Sequence, residues 1–333
     1  MTTPPPRKIR WGVLGYAKIA REQLIPAILR SNNSEFTALA SRDAAKLTEA
    51  RQRYPIPKVC VGYETLLQDP GIDAVYIPLP NAQHCEWTLR AAANGKHVLC
   101  EKPLALNAAE CRRMIDGCAH HGVTLMEAFM YRYTHRTRQL REIIRSGVLG
   151  EIRTISSTFR FPLTNPASIK LQPALGGGAL YDVGCYPVNL IGWIADEILG
   201  QPGSGTARPD SVSAESVQSG GVDVMFAGLL KYSSGLIATV QCGFNSHKRV
   251  TAEIVGSQGV LEIPETYFDE TTPLILIAGD QRTEIPVEAS DRYCREVEDF
   301  ADAILQKRPP HFSLAETQRN AEVLDRLFAA AKH

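Results

Sequence analysis

Two short segments carry side chains that could exchange protons with a substrate. One is Glu101-Lys102-Pro103, directly after the apolar run His97–Cys100. The other holds Asp182, Tyr186 and Asn189, which follow three consecutive glycines. Positions four and seven residues apart share one face of a helix, so these three side chains form one stripe. A carboxylate, a phenol and an amide on one stripe are unusual for plain packing, and the pattern predicts a polar ligand site.

The elements that position these segments change character along the chain. From Ile9 to about Glu127, apolar runs alternate with amphipathic stretches, which predicts strands joined by crossover helices in a doubly wound parallel sheet. The strands predicted here are Ile9–Leu14, Phe36–Ala40, Ala74–Ile77, His97–Cys100 and Thr124–Met126. The carboxyl ends of such strands line a ligand crevice, so Lys102 is expected to face a ligand, although a lone lysine is also consistent with an ordinary surface position.

After a predicted helix at Thr137–Ser146, consecutive strands predict a mainly antiparallel, open-faced sheet, followed by helices at Asp291–Gln306 and Leu314–Lys332. The strands predicted in this region are Glu151–Phe161, Val222–Tyr232, Leu236–Phe244, Thr251–Val255, Gly259–Ile263 and Leu274–Ile277.

The first turn of the alternating region has the residues of a dinucleotide site. It reads Gly15-x-Ala17-x-x-Ala20, a variant of Gly-x-Gly-x-x-Gly in which alanine replaces two glycines. Gly15 permits a tight turn, and Ala17 still lets the backbone approach a pyrophosphate. The amides of Ala17, Lys18 and Ile19 would open a helix N-terminus, which attracts anions. A small-residue turn can also join a strand to a helix without any nucleotide, so the motif gains weight from its place in the first strand–helix unit.

The end of the second predicted strand indicates which cofactor is used. Ser41 lies about 20 residues beyond the glycine motif, where an NAD enzyme usually has a carboxylate. Here Ser41 is followed by Arg42, and a hydroxyl and a guanidinium together can hold a 2′-phosphate. We therefore expect NADP(H). NAD(H) stays open as an alternative, because Asp43 could accept from a 2′-hydroxyl, and Arg42-Asp43 is also consistent with a solvated turn.

Together these patterns predict an α/β protein of two domains. The first is an NADP-binding Rossmann domain with a doubly wound parallel sheet over residues 1–127. The second is an α+β substrate-binding and oligomerisation domain over residues 128–333, whose C-terminal helix is expected to pack back on the first domain. The active site is expected in the cleft between them, and the exposed face of the second sheet favours a homodimer or homotetramer.

Composition excludes several classes of partner. Thirty-six basic residues balance thirty-six acidic ones, whereas binders of nucleic acid or anionic membranes carry a basic excess or basic clusters. No apolar run is long enough to cross a bilayer, and the segment Met1–Lys8 lacks the apolar core of a signal peptide. The eight cysteines form no Cys-x-x-Cys, and no cluster has metal-ligand spacing. We therefore expect a cytoplasmic protein with reduced thiols and no metal.

Several motifs resemble those of the Gfo/Idh/MocA oxidoreductases, and they occur along the chain in the same order as in that family. They are Gly15-x-Ala17, Pro78-Leu79-Pro80-Asn81-x-x-His84, Glu101-Lys102-Pro103, Glu127-Ala128-Phe129-Met130-Tyr131-Arg132, Asp182-x-Gly184-x-Tyr186-x-x-Asn189 and Glu296-Val297-Glu298-Asp299-Phe300. The resemblance implies hydride transfer between a nicotinamide cofactor and a sugar or polyol. Tyr186 stands where the inositol dehydrogenases have His. In this respect the chain resembles the tyrosine-type branch of the family, which includes glucose–fructose oxidoreductase, aldose and dihydrodiol dehydrogenases and deoxysugar ketoreductases. Members of that branch commonly use NADP(H).

The resemblance also implies roles for individual residues. Lys102 and Tyr186 would be catalytic, with Tyr186 exchanging a proton with the substrate oxygen, and Asp182 would orient the sugar beside them. Asn189 and Tyr293 are expected to face the substrate. The cofactor-binding residues implied are Gly15, Ala17, Lys18, Ile19, Ser41, Arg42, Leu79, Asn81, His84, Glu101 and Arg132. Without the resemblance, His84 would be interpreted as a surface residue. The segment Tyr131-Arg132-Tyr133-Thr134-His135 departs from the Tyr-Arg-Phe-His-Pro of the branch, so it predicts no substrate specificity.

The chemistry explains why a lysine and a tyrosine are needed together. Hydride transfer at a carbinol carbon leaves charge on oxygen unless a proton moves with it. A phenol with a pKa of about 10 is a weak base at neutral pH, and a nearby ammonium favours phenolate. We therefore expect Lys102 to lie beside Tyr186 and to stabilise the developing alkoxide. Two alternatives stay open: a noncatalytic NAD(P)-binding sensor of the same fold, and an NAD-assisted glycosidase.

Overall fold

A computed structural model of the protein describes residues 7–331, which form two compact units. The first unit comprises residues 7–105, 109–133 and 291–314, and the second comprises residues 106–108, 134–290 and 315–331. The predicted domain bounds, 1–127 and 128–333, include residues 1–6 and 332–333, which lie outside the described residues. These bounds, and the packing of the C-terminal helix on the first domain, remain predictions.

The first unit is built on a six-stranded sheet in the order β3-β2-β1-β4-β5-β6, in which every neighbouring pair is parallel. Most residues of its strands are buried, as expected where helices cover both faces, although both ends of the edge strand β3 are exposed. The strands are β1 (Ile9–Leu14), β2 (Ser34–Ser41), β3 (Lys58–Val61), β4 (Ala74–Ile77), β5 (His97–Glu101) and β6 (Leu125–Ala128). The predicted Rossmann sheet is confirmed, and the sequence analysis missed only the short strand β3.

Helices connect and cover these strands. They are α1 (Ile25–Arg30, preceded by a π-helical turn at Ala20–Leu24), α2 (Ala44–Arg53), α3 (Glu64–Leu67), α4 (His84–Ala93), α5 (Ala108–His120) and α8 (Arg292–Gln306). Helix α8 comes from far along the chain and adds its apolar face to this unit. Phe300 packs against Trp11 of β1 with ring centroids 5.4 Å apart. Asp291 caps the helix by accepting from the Cys294 amide at 3.1 Å.

The second unit is built on an eight-stranded sheet in the order β14-β13-β12-β11-β7-β10-β9-β8. Only β7 and β10 pair in parallel, and the other neighbours are antiparallel, which confirms the predicted mainly antiparallel sheet. The strands are β7 (Ile152–Arg160), β8 (Ser211–Ser219), β9 (Val222–Lys231), β10 (Ile237–Gly243), β11 (Arg249–Gly256), β12 (Gly259–Pro264), β13 (Leu274–Ala278) and β14 (Gln281–Ile285). The sequence missed the edge strands β8 and β14, which are polar because little of either strand is buried.

Three helices complete this unit: α6 (His135–Ser146), α7 (Cys185–Ile198) and α9 (Leu314–Ala330). Every residue of α7 except Ile198 is buried, and the helix packs against β7 and β10. The opposite face of the sheet carries Met225, Leu229 and Ile237, each about two-fifths exposed. The sheet therefore has one covered and one open face, as the sequence predicts. Within residues 7–331, no helix has the length and apolar character needed to cross a bilayer.

Candidate active site

The turn after β1 has the geometry that the glycine motif predicts. Gly15 has a φ of 106°, a backbone conformation that L side chains rarely adopt. Its amide donates to the Ala40 carbonyl at 2.8 Å and so ties the turn to β2. A methyl group at Gly15 would lie 3.0 Å from Leu79 Cδ2, so glycine also makes room beside the loop that follows β4. The chain becomes helical at Lys18, and the amides of residues 17–19 therefore belong to a helix N-terminus.

The end of β2 places Ser41 and Arg42 next to this turn. Ser41 is buried, and its Oγ accepts from the Asp43 amide at 3.1 Å. Arg42 is exposed, with its guanidinium 5.6 Å from the centre of the Tyr63 ring. Asp43 caps α2, since its Oδ1 accepts from the Ala45 amide at 2.9 Å. The carboxylate is therefore engaged in a helix cap, while the guanidinium of Arg42 remains in solvent.

Lys102 follows β5 at the carboxyl edge of the parallel sheet. Strand β4 lies between β1 and β5, and parallel strands end at the same edge. The Gly15 turn, the loop containing Leu79 and Asn81, and Lys102 therefore follow three adjacent strands. In doubly wound sheets the ligand crevice lies at this edge, where the strand order reverses. The Lys102-Pro103 peptide bond is cis.

Acidic side chains form hydrogen bonds on both sides of Lys102. Before it, Glu101 accepts from the Tyr76 hydroxyl at 2.5 Å. After it, the Leu104 amide donates to Glu127 Oε1 at 2.9 Å. Burial, reinforced by the charge of Glu101, raises the pKa of the Tyr76 hydroxyl well above its ordinary value, so Tyr76 stays a donor. Burial and the neighbouring Glu101 likewise raise the pKa of Glu296, a wholly buried α8 carboxyl that the sequence analysis did not single out.

His84 is fully buried at the start of α4. The interpretation of His84 as a surface residue, made without the family resemblance, is therefore wrong. Its Nε2 lies 2.8 Å from the Leu79 carbonyl oxygen, and its Nδ1 lies 2.9 Å from that of Pro103. Burial lowers the pKa of the imidazole, and the charge of Lys102 lowers it further. His84 thus links the loop after β4 to the loop after β5.

Arg132 and Tyr293 also belong to the first unit. Arg132 is buried, with its guanidinium 5.1 Å from the centre of the Phe312 ring. Tyr293 is 8% exposed at the first turn of α8, and burial raises the pKa of its hydroxyl. Its ring lies 5.3 Å from the Arg292 guanidinium.

The polar stripe predicted around Tyr186 lies in the second unit. Tyr186 and Asn189 are buried on α7, and Asp182 lies in the π-helical turn Leu180–Gly184 that precedes it. Asp182 thus lies in the first helical turn, and the N-cap residue is Ala179. The Leu180 amide donates instead to Asp223 of β9 at 2.7 Å. The sequence analysis missed Asp223, because no local sequence pattern marks a strand residue that accepts a hydrogen bond from the start of a distant helix.

The ring of Tyr186 is held in an aromatic cluster. Its centroid lies 5.4 Å from that of Phe159 and 5.1 Å from that of Tyr267. The Tyr267 hydroxyl is hydrogen-bonded to Ser157 Oγ at 2.7 Å. Tyr181 packs instead on Phe328, with ring centroids 5.6 Å apart. The two aromatic contacts with Phe159 and Tyr267 fix the position of the Tyr186 ring. A side chain that transfers protons must be held in a fixed position, and the Tyr186 ring meets that requirement.

The structure thus gathers the predicted residues into two sets, one in each unit. Asp182, Tyr186 and Asn189 belong to the second unit. The first unit contains Gly15, Ala17, Lys18, Ile19, Ser41, Arg42, Leu79, Asn81, His84, Glu101, Lys102, Arg132 and Tyr293. The closeness of Lys102 to Tyr186 remains a prediction. Over the described part of the chain, no three His, Cys, Asp or Glu side chains are grouped to hold a metal ion.

The first unit, with its glycine turn and polar carboxyl edge, is a dinucleotide-binding Rossmann domain. Residues 9–129 match the family model described as an oxidoreductase family with an NAD-binding Rossmann fold, and residues 137–262 match the GFO/IDH/MocA C-terminal domain. The chain is 37% identical to D-xylose 1-dehydrogenase (NADP(+)) 2 of Haloferax volcanii over 328 residues, 97% of each chain. It is 34% identical to dTDP-3,4-didehydro-2,6-dideoxy-alpha-D-glucose 3-reductase of Streptomyces violaceoruber over 303 residues, 90% of this chain and 86% of the other. The chain belongs to the Gfo/Idh/MocA oxidoreductase family.

A solved structure has the same fold over almost the whole chain. It is KijD10, a 3-ketoreductase from Actinomadura kijaniata in complex with NADP and TDP-benzene, with a TM-score of 0.89, 29% identity, and coverage of 97% of this chain and 98% of the other. Structures of KijD10 carrying Y186F, K102A or K102E match as well. The predicted family, fold class and nicotinamide-dependent oxidoreductase are therefore confirmed.

Proposed function

We propose that this protein is an NADP(H)-dependent oxidoreductase that transfers a hydride between the nicotinamide and a carbinol or carbonyl carbon of a sugar or polyol. One observation carries the proposal: the Gly15 turn, the Leu79 loop and Lys102 follow three adjacent parallel strands at one sheet edge. The relatives support the substrate class, since they are named for xylose and for a deoxysugar. They also support NADP, which is named for the xylose enzyme and is bound in KijD10.

The residues at this edge suit a dinucleotide phosphate. Gly15 permits the tight turn, Ala17 lets the backbone approach a pyrophosphate, and the amides of residues 17–19 attract its charge. Ser41 Oγ accepts from the Asp43 amide, which directs the hydroxyl hydrogen elsewhere, and Arg42 supplies an exposed guanidinium for a 2′-phosphate. The remaining residues proposed to hold the cofactor are Leu79, Asn81, His84, Glu101 and Arg132. When bound, the nicotinamide gives or accepts the hydride.

We assign the proton to Tyr186. Its phenol donates a proton to the substrate oxygen during reduction and takes it back during oxidation, while the Lys102 ammonium donates a hydrogen bond to the same oxygen and stabilises its negative charge. Asp182 accepts from a neighbouring substrate hydroxyl, and Asn189 and Tyr293 line the substrate site.

A cofactor and substrate screen tests the function. The purified protein is incubated with NADP⁺ or NADPH, and separately with NAD⁺ or NADH, against aldoses, ketosugars, polyols and sugar nucleotides. Substrate-dependent change in NADPH absorbance is the expected result. Nucleotide binding with no absorbance change would indicate a sensor, and release of an aglycone without net change in the cofactor would indicate a glycosidase. Either of those results would overturn the proposal.

We also propose a homodimer or homotetramer that forms through the open face of the second sheet. The exposed apolar side chains Met225, Leu229 and Ile237 on neighbouring strands support this assembly, because contiguous apolar surface favours association. Light scattering should give a multiple of the chain mass, and Leu229→Glu should shift it towards the monomer. A monomeric wild-type protein at micromolar concentration would refute the assembly. A cytoplasmic location is also proposed, supported by the burial of seven of the eight cysteines.

A further inference from the structure

Lys170 lies beside the proposed substrate residues, although no motif in the sequence points to it. We propose that Lys170 is a positioning residue: its ammonium holds the Asp182 carboxylate in one orientation, so that Asp182 can bind substrate hydroxyls. This inference rests on the proposed function, because that function assigns Asp182 to the substrate.

The contact between the two side chains is direct. Lys170 Nζ forms an ion pair with Asp182 Oδ2. The carboxylate side chain is 14% exposed and the lysine side chain is 34% exposed. A carboxylate that has lost this much of its hydration requires a charged or hydrogen-bonding partner to offset that loss. Lys170 supplies that charge, and by holding Oδ2 it restricts the rotation of the carboxylate.

The backbone holds Lys170 in place independently of this ion pair. Its carbonyl accepts from the Gly178 amide at 2.9 Å, and the Gly178 carbonyl in turn accepts from the Asp182 amide at 3.1 Å. A methyl group at Gly177 would lie 2.6 Å from the Lys170 carbonyl oxygen, so only glycine allows this approach. The Ser168 hydroxyl accepts from the Lys170 amide at 3.3 Å. The glycine-rich segment therefore packs closely against the backbone of Lys170. This packing places the Lys170 ammonium at the start of the helix that contains Tyr186.

The position of Asp182 gives this ion pair a consequence for substrate binding. Asp182 and Tyr186 are four residues apart at the start of one helix, so a substrate whose oxygen is bound by the phenol brings a neighbouring hydroxyl towards the carboxylate. Without Lys170 the carboxylate loses its cationic partner, and each substrate must then bind a less ordered carboxylate. The loss should appear mainly in the affinity for the sugar, because Lys170 itself touches neither the reacting atoms nor the cofactor in this proposal.

The test compares Lys170→Met with two matched variants in the full-length protein. Lys170→Arg keeps the positive charge, and Lys248→Met removes a cation from an exposed pair, Lys248–Glu265, at 2.9 Å. With the best substrate from the screen, we expect Lys170→Met to raise KM for the sugar about 10-fold or more while kcat and KM for NADPH change less than about 3-fold. Lys170→Arg should restore KM to within about 3-fold of the wild type, and Lys248→Met should have no effect.

A double mutant shows whether Lys170 acts through Asp182. The variant Lys170→Met/Asp182→Asn should bind sugar no more weakly than Asp182→Asn alone, because the ammonium then has no carboxylate to hold. Independent losses that multiply, or an unchanged KM in Lys170→Met, would overturn the positioning role. An inactive wild-type protein would instead refute the proposed function, and with it this role. Circular dichroism identifies unfolded variants, and Lys170→Gln replaces Lys170→Met if the latter does not fold.

Discussion

Replacing Tyr186 by phenylalanine should separate the chemistry of this enzyme from its packing. The Tyr186 side chain is 4% exposed, and phenylalanine keeps the ring that contacts Phe159 and Tyr267. Only the hydroxyl that exchanges the proton is lost, and general acid–base catalysis contributes about 10²- to 10⁴-fold. We therefore expect kcat to fall at least about 100-fold, which corresponds to about 2.7 kcal/mol in the activation barrier. NADPH binding should be retained.

The same aromatic cluster contains a matched control. Tyr267 has a buried hydroxyl that is hydrogen-bonded to Ser157 Oγ at 2.7 Å. In Tyr267→Phe the buried Ser157 hydroxyl loses this partner, which should lower the free energy of unfolding by about 1–3 kcal/mol. Since Tyr267 has no part in the proton transfer, kcat should stay within about 3-fold of the wild-type value. The two variants thus have opposite expected effects on turnover and stability.

Single-turnover stopped-flow absorbance measures the chemical step, fluorescence titration measures the dissociation constant of NADPH, and urea denaturation measures the free energy of unfolding. Lys102→Met should lower kcat at least about 100-fold as well, because the developing alkoxide loses its cation. Near-normal turnover in Tyr186→Phe would refute the role of the phenol. Equal loss of turnover in Tyr186→Phe and Tyr267→Phe would also refute it, since the loss would then come from disturbed packing.

Three further predictions concern the cofactor and the stability of each unit. Arg42→Ala should weaken NADPH binding about 10- to 100-fold with little effect on NADH binding, because one charged hydrogen bond to the 2′-phosphate is lost. Calorimetric titration measures both affinities, and equal losses for the two cofactors would contradict this prediction. Arg319→Met removes the ion-pair partner of Asp196, both side chains being fully buried, and should lower the free energy of unfolding by about 3–5 kcal/mol in urea. A loss as small as that of an exposed pair would be inconsistent with this prediction. Burial lowers the pKa of His97, whose Nδ1 accepts from the Thr124 amide, so the unfolded chain binds its proton first and stability should fall as pH drops below about 6.5. In thermal melts at several pH values, His97→Gln should reduce the fall in stability as the pH drops. An unchanged pH dependence would show that other groups cause the fall.

Much of the fold and part of the site could be predicted because they depend on local order in the chain. The alternation of apolar strands and amphipathic helices specifies the parallel sheet, since burying both faces of its strands requires that alternation. Lys102 could be placed at the carboxyl edge because it directly follows β5, and Tyr186 could be placed on a helix from its spacing to Asp182. The positive φ of Gly15 likewise follows from the tight turn that its motif predicts.

Only the tertiary structure decided which distant side chains complete the site. Asp223 binds the start of the Tyr186 helix, Lys170 pairs with Asp182, and His84 links two strand-end loops from a fully buried position. None of these contacts has a sequence signature, because each joins segments whose meeting depends on how sheets and helices pack. The edge strands β8 and β14 were missed for a related reason: strands with little buried surface need few apolar side chains, so their sequences resemble loops. The sequence determined which groups are available for chemistry, and the packing of strands and helices determined which partners orient them.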